Sequence, residues 1–282
     1  MSIRTLIARC LVYLCALFTG LPAFASSPEV TVSIKPLHSL VAGMMNGAGD
    51  ASLIVKGSRS PHTYSLKPSD ARTLSSAGIV VWAGAGMEMF LEKPINALSA
   101  KSLVLTLSDD AAADPHIWLS PALAGTIVDK VLAALLLTDP DHADQYRENA
   151  RSLKSRLGKL QAYGERRLQP FQHTPFLVFH DAWGHFATAF GLNITGAVAL
   201  NPERPASAKR IIAIRHLIEE SGARCLFKEP QFASPLLTTI VEGHEEIRVR
   251  ELDPLGSTFK PGPDLYFQMM ENNIDAVASC LK

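Results

Sequence analysis

The chain has 282 residues with 27 basic and 27 acidic side chains, nine histidines and four cysteines. That length suggests two domains, each able to bury its own core. The balanced charge argues against nucleic acid or a polybasic membrane contact as partner.

Residues 1–25 read as a signal peptide. Arg4 and Arg9 give a positive start, Leu11 to Leu21 is a short apolar run, and Ala23-Phe24-Ala25 is a small-x-small cleavage pattern. Bulky residues precede Cys10 and Cys15, so neither sits in a lipoprotein cleavage context. An uncleaved anchor is the alternative, but the run is too short for a membrane span, and no later segment is expected to be long enough. The expectation is a soluble exported protein of the periplasm. Loss of Arg4 and Arg9 leaves 25 basic against 27 acidic residues, a net charge of about −2. Two cysteines also remain, Cys225 and Cys280. In an oxidising compartment an even pair reads as a disulfide, with two buried thiols as the alternative.

From residue 26 to 140 the chain alternates strand and helix. Strands are expected at Val30–Ile34, Leu53–Val55, Ile79–Ala83 and Leu103–Leu107, and helices at Pro36–Met45, Pro68–Ala77, Glu88–Leu98 and Pro121–Leu137. Polar loops between them carry His62 and His116. Asp141 to Leu168 then reads as one long helix. Apolar residues fall at Tyr146, Ala150, Leu153, Leu157 and Leu160, in steps of four and three, with polar residues elsewhere. Asp139-Pro140-Asp141 supplies a start signal, an Asx cap with a proline in the first turn, and Gln169-Pro170 a stop. Such a helix is about 40 Å long. No second one follows to make a coiled coil, so it is expected to be a strut between two lobes.

From 169 to 282 the alternation restarts. Strands are expected at Phe176–Phe179, Ile194–Val198, Cys225–Phe227 and Ile247–Glu251, with helices at Ala182–Phe190, Ala206–Glu220, Pro235–Glu242 and from Pro263 onward. His180 follows the first of these strands and Asp253 the last. The fold class is therefore α/β: two lobes, each a mostly parallel sheet flanked by helices, joined by one rigid helix. The lobes match in pattern but not in sequence, so no internal repeat is inferred.

Open α/β sheets bind ligands beyond the carboxyl ends of their strands. His62, His116, His180 and Asp253 all lie past such ends, two from each lobe. Three imidazoles and an oxygen donor suit a four-coordinate zinc site. The ligands are far apart in sequence and share no short metal motif, so spacing alone is weak support. His38 also follows a strand and is a candidate to line the cleft. Asp181 either orients an imidazole or caps the helix from Ala182. His185 reads as packed or exposed, and His142, His173, His216 and His244 as surface residues. Trp82, Trp118 and Trp183 read as core or cleft wall. Gly84-Ala85-Gly86 does not complete a dinucleotide fingerprint.

Five segments carry a resemblance. Pro61-His62-Thr63-Tyr64-Ser65-Leu66-Lys67-Pro68-Ser69-Asp70, Asp114-Pro115-His116-Ile117-Trp118-Leu119-Ser120-Pro121 and Phe179-His180-Asp181-Ala182-Trp183-Gly184 resemble the three ligand segments of the metal-specific solute-binding proteins of ABC importers. Glu229-Pro230-Gln231-Phe232 and Leu252-Asp253-Pro254-Leu255-Gly256 resemble the periplasmic zinc-uptake branch. The resemblance spans the mature chain in order. It implies His62, His116 and His180 as ligands of a transported zinc ion, an inner-membrane ABC permease as partner, a monomer, and no enzymatic activity. Asp253 or a water is implied as the fourth ligand; Pro61 stands where some members carry Glu. A histidine at the third position, His180, points to zinc where manganese members tend to have Glu. The long His- and Asp-rich loop of many zinc-uptake members is missing, since Ser108 to Ala113 is short and without histidine. The rivals are a manganese or iron receptor on the same fold, an adhesion protein on that scaffold, and a secreted zinc hydrolase with Asp253 or Glu203 as base.

Overall fold

The computed structural model describes residues 27–98, 100, 102–108, 114–199, 207–232 and 236–282. The signal-peptide reading of residues 1–25, the loops at Ser108–Ala113 (beyond Ser108) and Asn201–Pro205, and Glu203 lie outside the described residues.

Among the described residues two four-stranded sheets form, both fully parallel. The first contains β1 (Val30–Val32), β2 (Ala51–Leu53), β3 (Ile79–Trp82) and β4 (Leu103–Thr106), in the order β2-β1-β3-β4. The second contains β5 (Pro175–His180), β6 (Asn193–Ala199), β7 (Cys225–Lys228) and β8 (Arg248–Glu251), in the order β6-β5-β7-β8. The two lobes thus share one topology, which the sequences alone do not reveal. Central β3 is buried along its whole length, as a strand covered on both faces requires.

The connecting helices are α1 (Lys35–Met44), α2 (Pro68–Ser76), α3 (Met89–Asn96) and α4 (Pro121–Thr138) in the first half. After the long α5 (Ala143–Leu168) come α6 (Gly184–Phe190), α7 (Ala208–Ser221), α8 (Leu236–Val241) and α9 (Leu265–Leu281). At 18 residues, α4 is apolar and long enough to cross a membrane by length and composition, contrary to the sequence expectation. Its Ala124, Ile127, Val128, Val131, Ala134 and Leu135 are nevertheless buried in the core.

The five apolar positions read from the sequence of α5 are all buried, and Gly164 and Leu168 extend the stripe. The entry differs from the Asx cap expected. Asp139 makes no backbone cap; it is buried and accepts hydrogen bonds from the Tyr146 hydroxyl (2.6 Å) and from His142 Nδ1 (2.8 Å). His142 is therefore tied to the helix entry rather than loose on the surface. Gly164 lets α6 approach: a Cβ there would lie 2.3 Å from the buried Phe190 ring. Gly84 has φ +134° and lies against the Ser108 carbonyl, a close backbone approach that explains the glycine where no nucleotide fingerprint exists.

The last helix returns to the first lobe. The Tyr266 amide donates to Ser39 Oγ (3.0 Å), and the Tyr266 hydroxyl to the Trp118 carbonyl (2.8 Å). Trp118 Nε1 in turn donates to the Pro254 carbonyl (2.8 Å), and Lys35 Nζ to the carbonyls of Ser257 (2.9 Å), Gly256 and Phe259 (both 3.3 Å). One apolar core runs from β1 through α5 to α9. Cys225 and Cys280 form a disulfide joining β7 to α9, closing a separation of 55 residues. On the chain-entropy account that closure stabilises by about 4 kcal/mol.

Candidate metal centre

The site forms where loops of the first lobe meet the end of β5. His62 sits in a 3-10 turn, Pro61–Thr63, whose amide hydrogen-bonds to Ser60 Oγ (3.3 Å). His116 starts a second 3-10 turn, Ile117–Leu119. His180 is the last residue of β5 rather than the first of a loop. Their ring centroids are 5.7 Å (His62–His116), 5.2 Å (His62–His180) and 5.1 Å (His116–His180) apart. One ring nitrogen from each lies within 4.8 Å of those of the other two, a set able to hold a metal ion.

Each ring leaves a nitrogen for a cation. Nε2 of His62 is buried without a hydrogen-bond partner. His116 Nδ1 is 2.7 Å from Asp114 Oδ1, and His180 Nδ1 is 3.3 Å from Glu229 Oε2. A carboxylate only accepts, so each Nδ1 carries the proton and Nε2 presents its lone pair. Glu229 is held in turn by Trp183 Nε1 (3.0 Å), and the Asp114 carbonyl by His185 Nε2 (2.9 Å). Two carboxylates, Asp114 and Glu229, stand behind the rings and suit a divalent cation.

Burial, then the other two rings, pushes the His62 pKa down to about 3. Burial also lowers that of His116, with Asp114 opposing. Burial would raise the Asp114 pKa, but the hydrogen bonds and charge of His116 outweigh it and hold the carboxyl below its usual range. Both rings are thereby kept unprotonated for a metal. The space beside the rings is about 10 Å3, lined also by Met87, Gln231, Phe232 and Leu255. That admits one ion or water-sized occupant and not an organic substrate. Buried Glu88, its pKa raised by burial to about 7, accepts from the Ala83 amide (2.6 Å) and fixes the turn that presents Met87.

Asp253 is not brought into the cluster. Its Oδ1 accepts from Gln231 Nε2 (2.8 Å), the Leu255 amide (3.0 Å) and Ser257 Oγ (3.2 Å), and its Oδ2 from the Ser257 amide. It builds the wall that carries Pro254 and Leu255. His38 is buried elsewhere, against the Ala51 carbonyl (3.0 Å). Asp181 is exposed, and α6 begins two residues later than expected with no side-chain cap, so Asp181 neither orients a ring nor caps the helix. Trp82, Trp118 and Trp183 are all buried. Sequence reading missed the carboxylate partners Asp114 and Glu229. The signal for Asp114 was its place two residues before a ligand histidine; for Glu229, 49 residues from His180, only the fold brings the pair together.

Fold and site together define a two-lobed protein with an ion-sized, all-imidazole centre. The family described as "ZnuA: Zinc-uptake complex component A periplasmic" matches residues 30–280. The high-affinity zinc uptake system protein ZnuA of Brucella abortus is 35% identical over 317 aligned residues, covering 94% of this chain and 95% of that protein. Among solved structures, the periplasmic zinc-binding protein TroA of Treponema pallidum superposes with a TM-score of 0.81 at 21% identity, over 90% of this chain and 99% of that one. A crystal structure of ZnuA does so with 0.78 at 26%, over 91% and 100%. The chain belongs to the zinc-uptake component A family.

Proposed function

We propose that this protein is the periplasmic receptor of an ABC-type importer: it captures Zn2+ on His62, His116 and His180 and passes it to an inner-membrane permease. The observation that carries the reading is the convergence of three imidazoles on a space of about 10 Å3. Imidazole donors favour zinc over manganese. In this reading residues 1–25 are removed on export, 26–140 and 169–282 are the two metal-binding lobes, and 141–168 is their strut. A water fills the fourth position while Asp253 shapes the wall, and the protein works as a monomer. The zinc hydrolase reading has no room for an ester or peptide in that space.

The test is zinc titration of His62→Ala, His116→Ala and His180→Ala. Each is expected to lose tight binding while keeping the fold. Wild-type affinity in all three overturns the assignment, and tighter binding of Mn2+ than Zn2+ by the parent chain overturns the choice of cargo.

A further inference from the structure

Gln231 lines the same small space as the three histidines. It belongs to the Glu229–Phe232 turn, closed by the Phe232 amide on the Glu229 carbonyl (3.2 Å). That turn also puts Glu229 behind His180 and sets the Phe232 ring nearly perpendicular to the imidazole, with centroids 5.9 Å apart. The Gln231 amide is held in one orientation. Its Nε2 donates to Asp253 Oδ1 (2.8 Å) and to Ser257 Oγ (2.6 Å), which uses both amide hydrogens. A carboxylate only accepts, so the reversed amide would set two oxygens against each other. Oε1 is therefore turned away from Asp253. It is buried and has no hydrogen-bond partner among the described residues.

A buried acceptor left unpaired costs about 1–3 kcal/mol, so this oxygen calls for a donor. The other side-chain oxygens around the space are committed. Ser60 Oγ accepts from the His62 amide (3.3 Å), and the Glu229 oxygens accept from His180 Nδ1 (3.3 Å) and Trp183 Nε1 (3.0 Å). Pro61, Met87, Phe232, Pro254 and Leu255 bring no side-chain oxygen. A zinc ion on three imidazoles keeps a water in its fourth place. Coordination lowers the pKa of that water and makes its O–H a strong donor. The charge of Asp253 polarises the amide through Nε2 and strengthens Oε1 as acceptor.

We propose that Gln231 Oε1 accepts a hydrogen bond from the zinc-bound water, and so holds the fourth coordination position from the second lobe. The inference rests on the zinc-receptor reading above. It gives the Asp253 loop a part in capture although its carboxylate stands outside the cluster: Asp253 orients the amide, and the amide holds the water.

Chelator competition and a crystal structure of the zinc-loaded chain test it. Gln231→Leu should bind zinc about tenfold more weakly than the parent, the lower end of what loss of an outer partner costs a metal centre. Ser257→Ala loosens the same wall but leaves the oxygen in place, so it should keep the parent's affinity. In the zinc-loaded parent, Oε1 should lie about 2.5–3.0 Å from a zinc-bound water. Parent affinity in Gln231→Leu overturns the proposal. So does an equal loss in Ser257→Ala, or a zinc ion with no bound water facing Oε1. All of these are results on a chain that binds zinc. A parent chain that does not bind it, or histidine variants that bind it as well as the parent, overturn the receptor reading itself and this inference with it.

Discussion

Asp114 is the perturbation that best separates geometry from charge at the interlobe centre. Its Oδ1 accepts from both the His116 amide (3.0 Å) and His116 Nδ1 (2.7 Å). The first contact fixes the backbone turn; the second fixes the ring and its tautomer. The Nδ1 contact is short and charge-assisted, on a ring only 4% exposed, so water cannot easily replace it. Loss of such a carboxylate partner lowers metal affinity about 10–100-fold, or roughly 1.4–2.7 kcal/mol. Asp114→Asn keeps an acceptor oxygen and loses only the charge, so it belongs near tenfold. Asp114→Ala loses both contacts and belongs near a hundredfold. Competition against a zinc chelator at fixed pH gives the affinities, with urea unfolding of the metal-free variants as the control for folding. Unchanged zinc affinity in Asp114→Ala refutes the reasoning.

In the metal-free protein, the His62 pKa of about 3 lies below the roughly 6.5 of the unfolded chain, so the unfolded state takes up the proton first. Stability should therefore be full above about pH 6.5 and fall by about 1.4 kcal/mol per pH unit between there and pH 3 through this group; urea unfolding at pH 7 and 5 should show a smaller fall in His62→Gln. Gly164→Ala should destabilise by about 1–3 kcal/mol in urea despite the better helix propensity of alanine, because the new methyl meets Phe190 at 2.3 Å. Lys35→Met strands the carbonyls of Gly256, Ser257 and Phe259, and should cost about 2–4 kcal/mol by the same measurement.

Sequence periodicity revealed most of the frame. The α5 stripe was legible because a long helix with one buried face repeats its apolar residues every three or four positions, and Tyr146, Ala150, Leu153, Leu157 and Leu160 do so. The parallel strands were legible as short apolar runs, and the three histidines because each follows one. The disulfide followed from the cysteine count. What escaped was set by contacts between distant parts of the chain. Asp253 follows a strand as a ligand would, yet its oxygens go to Gln231, Leu255 and Ser257, a choice fixed by the path of the loop. His244 read as surface, but the packing of α7 against α8 buries it. The membrane-length character of α4 is hidden in the sequence because Asp129 and Lys130 interrupt its apolar run.

The bonds that join the lobes also limit how zinc can leave. Wide opening about α5 would break Tyr266 from Ser39 and Trp118, Trp118 from Pro254, and Lys35 from its three carbonyls. At about 1–3 kcal/mol for each buried group left unpaired, that is on the order of 5–10 kcal/mol. The whole stability of a domain is only about 5–15 kcal/mol. A hinge of that kind would come close to unfolding the frame. The outer face of the second sheet is different: Leu177, Phe179, Val198 and Leu226 pack with α7 and α8 in a cluster separate from the main core. His180 stands at the end of β5, between the two clusters. Movement of α7 and α8 within that cluster is therefore expected to leave α5 and α9 in place. Release is therefore expected by displacement of one imidazole rather than by separation of the lobes, which would break these buried bonds.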